Sequence, residues 1–163
     1  MWRYAQVFKP PTPLPTDRQT ASVFLAGSIE MGLAEDWQAE MERALADLDV
    51  LILNPRRDAW DSSWVQSIDN PLFREQVEWE LGGLEQADVV AMYFAPTTKA
   101  PVTLLELGLR ARAGGLVVCC PPGFWRRGNV EIVCRRFDAP LLNTLPELVA
   151  EVRTRLEAAR RIP

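Results

Sequence analysis

The chain has 163 residues, 48% hydrophobic and 25% charged, enough apolar side chain for one globular domain with a core of its own. Its net charge of −4, with arginines interspersed among acids, argues against a nucleic-acid polymer or an anionic membrane surface as partner, since clustered cations bind both. It contains no histidine, which removes Ser-His-Asp and Cys-His catalysis, histidine-ligated metal and the usual base near neutral pH, and leaves carboxylates to carry any acid, base or nucleophile role.

No apolar run reaches the roughly 18–20 residues of a membrane span, and the first residues lack the pattern of a signal peptide. Residues 7–20 include Pro10, Pro11, Pro13 and Pro15 and predict an extended arm over residues 1–21, ahead of a domain over 22–163. Ser22–Ile29 is a short apolar run ending at Gly27-Ser28, a strand feeding a turn. Trp37, Met41, Ala44, Leu45 and Leu48 recur at helical spacing, so a helix is expected over 35–48. Val50–Leu53 reads as a second strand, stopped by Asn54-Pro55.

Residues 56–71 have no clean period and are rich in Asp, Ser and Trp, a long loop of the kind that serves function in a compact domain. A helix is expected over 72–86, a strand over 88–94, a second helix over 102–113 ended by Gly114-Gly115, and a strand over 116–120. A short helix near 129–136 and an amphipathic one over 145–160 finish the chain. Cys119, Cys120 and Cys134 are odd in number and two are adjacent, which reads as free thiols in a reducing cytosol rather than a disulfide framework.

Strands alternating with helices predict a single-domain parallel α/β sheet of about five strands with helices on both faces, of the flavodoxin/Rossmann-like kind. Ligands of such sheets bind beyond the carboxyl ends of the strands, where the strand order reverses. The segments to watch are therefore residues 27–32, 54–70, 95–101 and 121–128.

Two carboxylates stand where apolar residues are expected. On a helical wheel Glu80 lies about 20° from Phe73, inside the stripe of Val77, Leu81 and Leu84. A carboxylate there is costly unless it is paired or used; a structural bond to an amide or an arginine is the plain alternative. Glu106 is the single acid among Val102, Leu104, Leu105, Leu107 and Leu109, a helix apolar nearly all round and so expected to be buried. Its alternative is a capping box, Thr103-x-x-Glu106, which would make it a helix-end residue only. Gly27-Ser28 is a weak sugar or phosphate cradle without a dinucleotide or Walker pattern, and Trp60 and Trp64 are suited either to stack on a base or to pack their loop. Two glutamates in one pocket suit the chemistry of a glycosidic bond.

Taken together, FLAGSIEMG (24–32), NPRRDAWDSSW (54–64), FREQVEWELGGLEQAD (73–88), TKAPVTLLELGL (98–109) and PPGFWRRGNVEIVC (121–134) resemble the nucleoside 2-deoxyribosyltransferase family, in its branch with a Trp-rich loop. The resemblance implies Glu106 as nucleophile on C1′ of a 2′-deoxynucleoside, with a covalent deoxyribosyl intermediate and a second free base as acceptor. It implies Glu80 as the proton-transfer residue, where better-known members carry aspartate. Gly27, Ser28, Asp58 and Trp60 would bind sugar and base. Asn129 would enter the site of a neighbouring subunit in a homo-oligomer. The family chemistry needs no metal and no organic cofactor. Val23 and Phe24 stand where better-known members have a tyrosine, and Ala100 near a position where they have an aspartate; both differences bear on base preference. The alternatives are a nucleoside or nucleoside 5′-monophosphate hydrolase, in which water resolves the intermediate, and a nucleotide-binding domain without catalysis.

Overall fold

A computed structural model describes residues 4–29, 36–58, 61 and 63–159 of the chain. Their centre is one fully parallel sheet in the order β1-β3-β2-β4-β5-β6. The strands are β1 (Gln6–Phe8), β2 (Ser22–Gly27), β3 (Leu51–Leu53), β4 (Val89–Tyr93), β5 (Leu116–Cys119) and β6 (Leu141–Leu142). Val23 pairs with Ile52 on one side and Val89 on the other, so β2 is flanked by β3 and β4 and the strand order reverses there.

Successive strand residues face opposite ways, and the sequence uses both faces. Val23, Leu25, Ala91, Tyr93, Val117 and Cys119 pack with Trp37, Met41 and Leu45 of α1 (Trp37–Leu45) and Leu148, Val152 and Leu156 of α5 (Leu145–Ala159). Phe24, Ala26, Val90, Met92, Leu116 and Val118 pack with α2 (Pro71–Gln86), α3 (Pro101–Arg110) and α4 (Arg127–Arg136) through Trp79, Leu84, Leu107, Val130 and Cys134. Helices thus cover both faces, as the alternation of elements predicts. Among the described residues no helix is long and apolar enough to cross a membrane.

The sheet has six strands rather than about five. Two of them lie outside the four runs located in the sequence: β6, which pairs with β5, and β1 from the Pro-rich segment, whose Val7 pairs with Ile52 at the sheet edge. The rest of that segment stays on the domain: the Trp79 indole N–H donates to the Thr12 carbonyl at 2.8 Å. Helix starts follow ordinary capping rules. Asp36 accepts from Ala39 N–H to begin α1, and Asn70 accepts from Leu72 N–H ahead of Pro71 to begin α2.

Helix α3 starts at Pro101, behind Ala100 in the left-handed region (φ 46°), and runs into a single 3₁₀ turn, Ala111–Ala113. Gly115 (φ 69°) closes it, where a Cβ would lie 2.5 Å from the Asp88 carbonyl. Arg110 clamps this end of the molecule. Its guanidinium donates to the carbonyls of Leu84, Ala87 and Gly114 at 2.6, 3.0 and 2.8 Å, joining the ends of α2 and α3. One expectation about α3 fails. Leu107 is buried, but Val102, Leu105 and Leu109 are 57%, 63% and 55% exposed, so an all-round apolar composition does not bury this helix within a single chain.

Candidate active site

Glu106 and Glu80 come together from α3 and α2. Glu106 is only 8% exposed and shares the inward side of α3 with buried Thr103 and Arg110. Burial pushes its carboxyl up to about 8, and the charge of Glu80 adds to the rise. Glu80 is half-buried and also raised by burial, against which an N–H from Gln76 favours its ionised form. At about 100° per residue, Gln76, Gly83, Leu84 and Ala87 all fall within about 60° of Glu80, which places it on the inward side of α2.

The capping-box alternative for Glu106 fails on position. The residue preceding the helix is Ala100, and Thr103 is already the third residue within α3. No hydrogen bond to the Glu106 carboxyl is made among the described residues. Among the described residues the Glu106 carboxyl is therefore buried and shifted with no hydrogen bond to offset its burial, a combination that marks candidate functional groups.

The long loop enters this site through its first residues. Buried Asn54 donates to Glu42 at 2.6 Å and accepts from Arg56 N–H at 2.9 Å. Arg57 donates through Nε to Gln76 Oε1 at 3.0 Å and through Nη2 to Glu75 at 2.8 Å, with its guanidinium 5.0 Å from the Trp64 ring centre. Gln76, 3% exposed, donates through Nε2 to the Pro55 carbonyl at 2.8 Å and to Glu80 Oε1 at 3.0 Å. Asp58 is exposed and accepts from Lys9 at 3.2 Å. Trp60 lies outside the described residues.

Gly27 and Ser28 sit at the strand-order reversal. Gly27 is required by packing, since a Cβ would come within 2.5 Å of the Tyr93 carbonyl and 2.6 Å of the Trp37 ring. Ser28 N–H donates to that same carbonyl at 3.1 Å. The Ser28 hydroxyl accepts from Ala95 N–H at 3.0 Å and lies 2.9 Å from the Thr98 hydroxyl. Together these bonds fasten the turn after β2 to the turn after β4.

Asn129 makes no hydrogen bond to Glu106 and is exposed on α4, lining a depression of about 300 Å³ with Leu104, Leu107, Gly108, Arg126 and Val133. Leu104 and Gly108 lie about 160° around α3 from Glu106, on its far side. Among the described residues no group of three or more His, Cys, Asp or Glu side chains could hold a metal ion. Gln76, Asn54 and Arg57 were not distinguished by sequence; the one available signal was that Gln76 stands four residues before Glu80, on the same side of a helix.

The fold and site are those of an open parallel α/β domain with two glutamates of raised pKa on adjacent helices, the charge of one acting on the other. Residues 20–124, well over half of the chain, match the family described as nucleoside 2-deoxyribosyltransferase like, and the chain belongs to that family. The matched span contains Glu80 and Glu106; Asn129 lies beyond it. No curated protein matches the chain.

Proposed function

We propose that the protein is a nucleoside 2-deoxyribosyltransferase, exchanging the base of a 2′-deoxynucleoside through a deoxyribosyl ester on Glu106. The observation that carries this reading is the Glu80–Glu106 pair. Burial raises both carboxyls and the charge of Glu80 raises Glu106 further, so like charges in this low-dielectric site resist double ionisation. One ionised and one protonated carboxyl is the state that a displacement at C1′ requires.

In the first step a Glu106 oxygen attacks C1′, the C1′–N bond breaks, and its electron pair leaves with the base, which takes the proton of Glu80. In the second step a nitrogen of the incoming base attacks C1′, the ester bond breaks, Glu106 departs as carboxylate, and Glu80 accepts the proton of the new base. Two inversions give net retention. Burial favours the protonated form of Glu106, while the Gln76 N–H favours the ionised form of Glu80.

The active species in this reading is a homo-oligomer. Val102, Leu105 and Leu109 form an exposed apolar stripe beside Glu106, and Asn129 is exposed on α4, both of which support a site shared between subunits. Three free, buried cysteines fit a reducing cytosol. The test is incubation with a deoxynucleoside, with and without a second free base, followed by chromatography. Appearance of the exchanged nucleoside supports transfer; free sugar in place of exchange makes the protein a hydrolase; no turnover across purine and pyrimidine deoxynucleosides and their 5′-monophosphates makes it a binding domain.

A further inference from the structure

We propose that Gln76 is a positioning residue that fixes which oxygen of Glu80 carries the transferable proton and ties that carboxyl to the long loop; this rests on the reading of Glu80 as the proton-transfer residue. The orientation of the Gln76 amide follows from its partners. Arg57 Nε–H can only donate, so the group facing it at 3.0 Å is the amide oxygen. The Pro55 carbonyl can only accept, so the group facing it at 2.8 Å is the amide nitrogen. Both constraints turn the NH₂ toward Glu80, and its second N–H donates to Glu80 Oε1 at 3.0 Å. An oxygen that accepts this bond carries no proton directed at Gln76. Because a carbonyl oxygen accepts better than a hydroxyl, this bond favours Oε2 as the site of the proton when Glu80 is protonated.

The amide is held on three sides, because Gln76 is 3% exposed and bonds to Arg57, to the Pro55 carbonyl and to Glu80. It also connects the loop to the acid. Pro55 and Arg57 are the second and fourth residues after β3, at the root of the Trp-bearing loop, so a displacement of that root pulls on the amide that holds Glu80. Among the described residues the charged groups near Glu80 are Glu106 from α3, Arg57 from the loop acting through the Gln76 oxygen, and Glu75, which is paired with Arg57. Arg110 of α3 is engaged with backbone carbonyls. Among these, the Gln76 N–H is the hydrogen bond that favours the ionised form of Glu80.

The experiment replaces Gln76 by Met, of similar length and without donors. The Glu80 side-chain carboxyl is titrated by carbon NMR, its signal assigned by loss in Glu80→Gln. Glu80 should titrate at least about half a pH unit higher in Gln76→Met, because the ionised form has lost a donor. The pH profile of exchange should move to higher pH with it. kcat for a poor leaving base should fall about 10- to 100-fold while KM changes less than about threefold. A folded Gln76→Met protein with an unmoved Glu80 titration overturns the proposal. If Gln76→Met does not fold, Arg57→Met removes one anchor of the amide and leaves Gln76 and Glu80 in place. A smaller upward move supports the proposal there, and no move overturns it. A titration that moves in a protein that exchanges no bases supports the hold of Gln76 on Glu80 and overturns the proposed reaction instead.

Discussion

Replacing Glu106 by Gln separates use of this carboxyl from a structural role, because the two roles predict opposite effects on stability. Folding lifts Glu106 from 4.5 to about 8, so between those pH values the folded state binds a proton that the unfolded state has released. Stability is therefore complete below about pH 4.5 and declines as pH rises toward 8. At about 1.4 kcal/mol per unit, the loss reaches on the order of 3–5 kcal/mol by pH 8–9. Glutamine does not ionise, so Glu106→Gln should match the wild type near pH 5 and exceed it by a few kcal/mol at pH 8.5, as read by urea denaturation at both pH values. The same variant should lose exchange activity by at least about a thousandfold, since an amide forms no ester with C1′. A variant less stable than wild type at pH 8.5, or one that retains activity per folded molecule, would refute the reasoning and return Glu106 to a structural role.

Glu80→Gln should slow departure of poor leaving-group bases by about 100-fold or more and of activated bases far less, because general acid assistance matters most for the former; equal slowing reduces Glu80 to positioning. Co-assembled Glu106→Ala and Asn129→Ala chains, once shown to exchange subunits, should regain part of the activity that each lacks alone, because some pockets would combine an intact Glu106 with an intact Asn129. Mixed oligomers without recovery, or a fully active monomer, would place Asn129 outside a shared site. Arg110→Met should cost about 3 kcal/mol, a fall in Tm on the order of 10 °C, by leaving the carbonyls of Leu84, Ala87 and Gly114 without their donor; a fall under about 2 °C in a thermal scan contradicts the clamp.

The central strands were legible because each is a short run of β-branched and aromatic residues buried on both faces, as in Val23–Ala26 and Val89–Tyr93. Strands β1 and β6 were not. Gln6–Phe8 and Leu141–Leu142 are too short to show a period, and their strand character comes from partners remote in sequence, Leu51–Leu53 and Val118–Cys119. Glu106 was visible as a lone acid among apolar residues, but part of that apolarity lies exposed in the single chain. The Thr103-x-x-Glu106 pattern was a true local motif at a place where Pro101 had already begun the helix. Gln76 was hidden for a different reason. On an amphipathic helix a glutamine reads as surface, and only the arrival of Pro55 and Arg57 from another segment gives its amide an orientation.

The most direct test of the account is the site of the covalent intermediate. The protein is incubated with a deoxynucleoside in the absence of an acceptor base, quenched in acid, digested and analysed by mass spectrometry. The account predicts one deoxyribosyl adduct, on the peptide containing Glu106, which forms with release of the first base and disappears when a second base is supplied. An adduct on any other residue, or base exchange that proceeds with inversion at C1′, would contradict it.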